Sequence, residues 1–144
     1  MLVQQILNSK PIAETLTVTP SATVAQAAAL MAQKRIGAVV ISADGLTPEG
    51  VFSERDIVRE LAKIGSGCMD HPVRDYMTRE VVTCTRETSA RELLEQMTQG
   101  RFRHMPVVED GKMVGLVSIG DVVKAQLTEL EMEKGALESM IKGY

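Results

Sequence analysis

The stretch GVFSERD at residues 50–56 recurs as GLVSIGD at residues 115–121, and this internal repeat constrains the fold more than any other feature of the chain. Gly50 and Gly115, Ser53 and Ser118, and Asp56 and Asp121 each stand 65 positions apart (121 − 56). Upstream the match continues with the offset increased by one. Thr17–Thr19 (TVT) faces Thr83–Thr85 (TCT), Met31 faces Met97, Arg35 faces Arg101 and Ile41 faces Val107. The offset changes within SADGLTPE (42–49), where Gly, Asp and Pro mark a turn that tolerates insertion. The chain reads as two copies of one unit.

Each copy carries the same order of elements. VAQAAALMAQKRI (24–36) and ARELLEQMTQGRF (90–102) place Ala27, Leu30, Met31 and Leu93, Leu94, Met97 on the i, i+3, i+4 face of a helix. GAVVIS (37–42) and HMPVVE (104–109) are short, β-branched and almost continuously apolar, as buried strands are. A turn at Asp44-Gly45 or Asp110-Gly111 follows, then a third strand at Val51–Phe52 or Val114–Val117, then a helix from Asp56 or Asp121. The order is β-α-β-β-α, twice, in the α/β (α+β) class. Neither copy is long enough to bury both faces of its own sheet, so the two are expected to pack as one pseudo-two-fold module. The expected limits are 8–65 for the first repeat, 74–131 for the second and 132–144 for a C-terminal helix extension, with GSGCMDHP (65–72) as the linker.

Composition narrows the function. Hydrophobic residues make up 44% of the chain but aromatics only 3%, with no Trp, so the core is aliphatic and stacking platforms for nucleic acid are lacking. A net charge of -3 argues against a general attraction to nucleic acid or to an anionic membrane. MLVQQILNSK lacks a basic region followed by a long apolar run, and no stretch reaches the ~18 apolar residues of a spanning helix, so a cytoplasmic location is expected. Cys68 and Cys84 read as free thiols. No Walker loop, nucleophile elbow or paired acid and base is present, and the expectation is a protein that is not an enzyme. Cys68, Asp70 and His71 lie close together in sequence, but without a second cluster they do not make a metal site.

The doubled β-α-β-β-α unit, the Gly-apolar-x-Ser-x-x-Asp ending of each copy and RHMPVVEDGKMVGLVS (103–118) together resemble a tandem pair of CBS domains, the module named after cystathionine β-synthase. The resemblance covers about Val3 to Leu130. It implies a cleft between the repeats that binds an adenosine-containing ligand, of the kind of AMP, ADP, ATP, NAD or S-adenosylmethionine, with no cofactor required. It also implies assembly as a homodimer.

Such a ligand offers a flat base, a ribose with two adjacent hydroxyls and usually phosphate. A carboxylate accepts from both hydroxyls at once, which points to Asp56 and Asp121, the motif positions that the family uses for that contact. Ser53 and Ser118 stand at helix N-termini, where backbone amides favour anions. Ser-x-x-Asp ahead of an apolar helix is equally the pattern of a capping box, and the two roles are compatible. The copies differ where Gly37-Ala38 face Arg103-His104. The resemblance makes Arg103 and His104 the expected phosphate ligands, with Arg55, Arg101 and Lys124 behind them. This asymmetry predicts unequal sites. Val18, Thr19, Ile36, Val51 and Met105 are the expected apolar and backbone contacts of the base. In the extension, Val123, Leu127, Leu130, Leu137 and Ile141 follow alternating four- and three-residue steps with Lys134 filling the missing place. That seam suits a dimer partner or a client protein, with packing on the module's own sheet as the bland alternative.

Overall fold

The computed structural model describes residues 1–10 and 16–142. Residues 11–15, inside the expected first repeat (8–65), and 143–144, at the end of the expected extension (132–144), lie outside the described residues. A helix, α1 (Val3–Ser9), comes first. The first repeat follows as β1 (Thr17–Val18), α2 (Val24–Lys34), β2 (Ala38–Ile41), β3 (Gly50–Ser53) and α3 (Glu54–Ile64). The second contains α4 (Ala90–Gly100), β4 (His104–Glu109), β5 (Lys112–Ser118) and α5 (Ile119–Ile141).

The local reasons recur in both copies. Thr23 caps α2 by accepting from Gln26 N–H at 3.1 Å, and Ser89 caps α4 by accepting from Glu92 N–H at 3.1 Å. Both helices stop on an arginine in the left-handed region, Arg35 and Arg101, each with φ of 56°. β1 runs parallel to β2, and β2 pairs antiparallel with β3 so that Ala38 faces Ser53. β4 pairs antiparallel with β5, and His104 faces Ser118 in the matching register. α3 and α5 begin two residues before the expected Asp56 and Asp121, because Ser53 and Ser118 are their N-caps.

One expectation needs correction. The first strand of the second repeat, expected at Thr83–Thr85, shrinks to a single parallel bridge between Cys84 and Val107. Thr88 explains this: its N–H donates to Thr85 O and its Oγ accepts from Thr85 N–H, turning the chain away after one residue. The expected linker at 65–72 lies between the last helix of the first repeat and the leading segment of the second, and it is ordered. A 3-10 helix at Gly65–Asp70 buries Cys68, and a second at Val73–Asp75 buries Val73.

The core explains why these segments are ordered. One apolar cluster combines Val24, Ala27, Met31, Val39, Ile41 and Phe52 of the first repeat with Val73. The other combines Leu93, Met97, Met105, Val107, Val117 and Val122 of the second repeat with Val3 and Ile6. Each repeat's leading segment therefore packs in the core of the other repeat. The backbone does the same in matching positions: Val3 N–H donates to Thr88 O at 2.9 Å and Gln4 N–H to Arg86 O at 3.0 Å, while Val73 N–H donates to Ala22 O at 2.8 Å and Arg74 N–H to Pro20 O at 3.2 Å. Full burial of a Val or Ile stabilises by roughly 1.5–3 kcal/mol, so the exchanged residues tie the halves together strongly.

The repeated glycines are the other half of this exchange. A Cβ at Gly50 would lie 2.5 Å from Met77 Sδ and 3.0 Å from Thr78 O, and a Cβ at Gly115 would lie 2.6 Å from a Leu7 methyl. Met77 and Leu7 belong to the exchanged segments, and only a bare α-carbon lets them approach. Gly50→Ala and Gly115→Ala are expected to lower unfolding stability by about 1–3 kcal/mol each. Gly135→Ala, in exposed helix with nothing within 4 Å, is expected to raise it by up to about 1 kcal/mol. Urea denaturation of the three variants checks both directions.

Candidate functional site

The capping role that Ser-x-x-Asp allows is realised in both repeats. Ser53 donates to Asp56 Oδ2 from its N–H at 2.8 Å and from its hydroxyl at 3.2 Å, and Arg59, one turn along α3, donates to Oδ1. In the second repeat the box is reciprocal: Ser118 N–H donates to Asp121 Oδ2 at 2.9 Å, and Asp121 N–H donates to Ser118 Oγ at 3.1 Å. The two carboxylates differ in what else holds them. Lys10, which follows α1, reaches across with Nζ 3.0 Å from Asp121 Oδ2 and 2.6 Å from Leu116 O. Asp56 is buried and is held by residues of its own repeat.

A cleft of about 1040 Å³ opens on the Asp56 side. Its first wall is the β3–α3 junction, with Val51, Ser53, Arg55, Asp56 and Arg59. Its second wall is the second repeat from the end of α4 to the start of β4, with Arg101, Phe102, Arg103 and His104. The segment from Thr78 to Val82 closes the third side. Thr78 and Val51 exchange backbone hydrogen bonds at 3.0 and 2.9 Å, so the exchanged leading segment forms a rim of the cleft.

The structure therefore gathers Ser53, Arg55, Asp56, Arg101, Arg103, His104 and Val51 into one cleft and leaves the other sequence candidates elsewhere. Ser118 and Asp121 stand at the second junction, with Lys10. Val18 packs against the first apolar cluster, and Thr19 lies in the turn before α2 with Oγ 3.4 Å from Ser21 Oγ. Met105 is completely buried in the second core. Ile36 lines a separate hollow of about 490 Å³ with Arg35, Gly37 and Glu54. Thr78, Val81, Val82 and Phe102 are lining residues that the sequence reading missed. For Thr78, Val81 and Val82 the available signal was the spacing of apolar residues shared by VRDYM (73–77) and VQQIL (3–7), which marks a leading segment ahead of each repeat; Phe102 lies inside RFRH (101–104), beside candidates already singled out.

Charge is uneven. Among the described residues neither Arg101 nor Arg103 has a carboxylate partner. His104 sits at the seam between repeats: a Cβ at Gly37 would lie 3.7 Å from its Nε2 and 3.4 Å from Glu54 Oε1. Burial lowers the His104 pKa below its usual 6.5, against the opposing pull of Glu54, so the imidazole is neutral at neutral pH. It offers hydrogen bonding there, and the arginines carry the positive charge. For Asp121, burial opposes ionisation, but the Ser118 N–H and the Lys10 ammonium outweigh it and hold the carboxyl below 3.8. In the linker Cys68 is buried, while the His71 ring stacks on Tyr76 with centroids 5.9 Å apart. Among the described residues no helix is long and apolar enough to cross a membrane.

A model of the CBS domain matches residues 3–63 and again 73–128. The chain belongs to the CBS domain family. Both matched units begin at an exchanged valine, Val3 or Val73, so the leading segment is part of the CBS unit. The crystal structure of the CBS-domain-containing protein ATU1752 from Agrobacterium tumefaciens is 41% identical, with a TM-score of 0.82 over 88% of this chain and 99% of that one. The mitochondrial CBS domain-containing protein CBSX3 of Arabidopsis thaliana is 37% identical over 87% of this chain, which spans 63% of the length of that relative. The CBS domain protein PAE2072 from Pyrobaculum aerophilum, solved in complex with AMP, is 28% identical with a TM-score of 0.77, covering 92% of this chain and 99% of that one.

The pKa directions fix a pH dependence. A carboxyl whose folded pKa is depressed contributes stability that is complete above its unfolded value of 3.8 and lost as pH falls through the lower folded value. Wild type is thus expected to exceed Asp121→Asn in stability near neutral pH, with the gap closing as pH drops below about 3.8. A histidine lowered by burial acts in the same direction below 6.5, where the unfolded chain binds the proton first. His104→Gln is expected to flatten the stability profile just below that pH. Urea midpoints across an acid titration check both.

Proposed function

We propose that this CBS pair is a regulatory module that senses an adenosine-containing nucleotide in the cleft between Asp56 and Arg103. One observation carries the reading: a recessed carboxylate from one repeat and two arginines without carboxylate partners from the other line the same cleft, whose walls mix apolar side chains (Val51, Val58, Val81, Val82, Phe102) with the carboxylates Glu54 and Glu80. Arg59, which is half exposed, swings off Asp56 Oδ1, and the adjacent ribose hydroxyls take its place. Arg101 and Arg103 hold phosphate, supported by Arg55. Val51, Val82 and Phe102 receive the base. The AMP complex of the Pyrobaculum relative supports this ligand class.

The two sites are unequal in this reading. Both carboxylates are ion-paired, Asp56 with Arg59 and Asp121 with Lys10, so the inequality rests on Arg101 and Arg103, which line the first cleft and supply phosphate ligands there. A nucleotide in the first cleft touches both repeats and favours one angle between them. A homodimer passes that change to a client protein, provided the ligand has different affinity for the two shapes. The module is non-catalytic and works in the cytoplasm, without nucleic acid or membrane as a partner. One observation favours a second reading, a structural dimerisation module: both oxygens of Asp56 are already engaged by its own chain.

Thermal unfolding against AMP, ADP, ATP, NAD and S-adenosylmethionine separates the two. Ligand at ~100 times its dissociation constant adds about 2.7 kcal/mol, a rise of several degrees for a chain of this size. The shift is expected to disappear in Asp56→Ala and to persist in Asp121→Ala, and Lys10→Met is expected to add a second binding event. The absence of a shift with every adenosine compound would establish the structural reading instead.

A further inference from the structure

His104 stands where the two repeats meet. It opens β4, lines the first cleft and is half-buried. Its register partner on β5 is Ser118, which begins the second junction. Gly37 of the first repeat approaches from the other side. A Cβ there would be in contact with both His104 Nε2 and Glu54 Oε1, so the missing side chain lets the imidazole and the carboxylate share one spot. The equivalent position of the first repeat is Ala38, which faces Ser53 in matching register and is buried with nothing to titrate. The seam therefore holds an ionisable ring in only one of the two equivalent places, and that place opens on the cleft.

The charges around the ring are close to balance. Glu54 at the start of α3 and Asp121 in the first turn of α5 favour a proton on it, while Lys10 beyond α1 and the adjacent Arg103 oppose one. Lys10 and Asp121 pair with each other, which leaves Glu54 set against Arg103 and against burial. The remaining charges of the cleft are Asp56 and Arg59, paired with one another, together with Glu80, Arg55 and Arg101. An anion held by Arg101 and Arg103 cancels the opposition of Arg103. Glu54 and the anion then both favour the charged ring, in a site where low water content strengthens each of these interactions.

We propose that ligand binding in the first cleft is linked to protonation of His104: an anionic group held by Arg101 and Arg103 draws a proton from solvent onto the imidazole, and the module reads acidity together with its ligand. The linkage rests on the nucleotide reading of the cleft and adds a second input to it. The unprotonated ring nitrogen takes the proton, both nitrogens become donors, and the imidazolium lies between the anion and Glu54. Linkage is reciprocal, so the ligand raises the ring's affinity for a proton by the factor by which the proton raises affinity for the ligand. Binding strengthens as pH falls through the range in which the liganded ring titrates.

Proton NMR of the full chain measures this directly, because the chain has only two histidines and His71→Gln assigns their Cε1–H resonances. The probe is AMP, with spectra taken in steps between about pH 5 and 8. The His104 midpoint is expected below 6.5 without AMP. With saturating AMP it is expected to rise by about one unit or more, each unit being a tenfold effect on affinity, while His71 keeps its midpoint. The phosphate of AMP titrates in the same range, so calorimetric affinities are compared with those of His104→Gln, in which only the phosphate titrates. The ratio of the variant's dissociation constant to that of wild type is expected to grow as pH falls. Absence of AMP binding at every pH contradicts the nucleotide reading of the cleft, and the linkage falls with it. AMP that binds while the His104 midpoint stays in place, or a ratio that does not change with pH, leaves the nucleotide reading standing and overturns the linkage.

Discussion

The exchange of leading segments between the repeats is the constraint on which the rest depends. Val3 and Ile6 complete the core of the second repeat, and Val73 completes that of the first. Neither repeat closes its own apolar cluster, so they fold as one body, and the pseudo-symmetry is stabilised by cross-packing rather than by two separate cores. The glycines at 50 and 115 serve that arrangement, since each clears a path for a side chain from the other repeat.

The same exchange builds the cleft. Because the chain from Val73 crosses to the first repeat, Thr78 can pair with Val51, and the following residues form a wall opposite α3. The arginines come from the second repeat, where α4 ends on Arg101 in a left-handed conformation that glycine usually takes at such a position. Arg35 ends α2 in the same conformation, so this ending belongs to the repeated unit, and in the second repeat it sets Arg101 at the cleft. At the second junction the crossing segment runs in the other direction and carries Lys10 to Asp121. One topological device thus makes two related junctions whose carboxylates are paired differently, Asp56 with Arg59 of its own repeat and Asp121 with Lys10 of the crossing segment.

Much of this was legible in the sequence. The repeat fixed the element order, and local signals placed the central strands and helices to within a few residues. The motif pair Ser53–Asp56 and the triplet Arg101, Arg103 and His104 were also visible, and they meet in one cleft. What the sequence concealed was long-range. Nothing in GSGCMDHP announces that it coils and buries Cys68, because Gly, Ser and Pro read locally as a linker. Val18 and Met105 look like base contacts on a strand, but only tertiary packing reveals that they face a core. The charge state of His104 depends on burial at the seam between repeats, which no local pattern encodes. The exposure of the α5 seam likewise follows from which face the module covers.

The central claim is that one nucleotide bridges both repeats through the first cleft. Hydrogen–deuterium exchange of the full chain with and without AMP tests it most directly. Bound AMP is expected to slow exchange together at the β3–α3 junction around Ser53–Asp56 and at Arg101–His104, with smaller change around Ser118–Asp121. Protection confined to one repeat, or strongest around Asp121, would contradict the account.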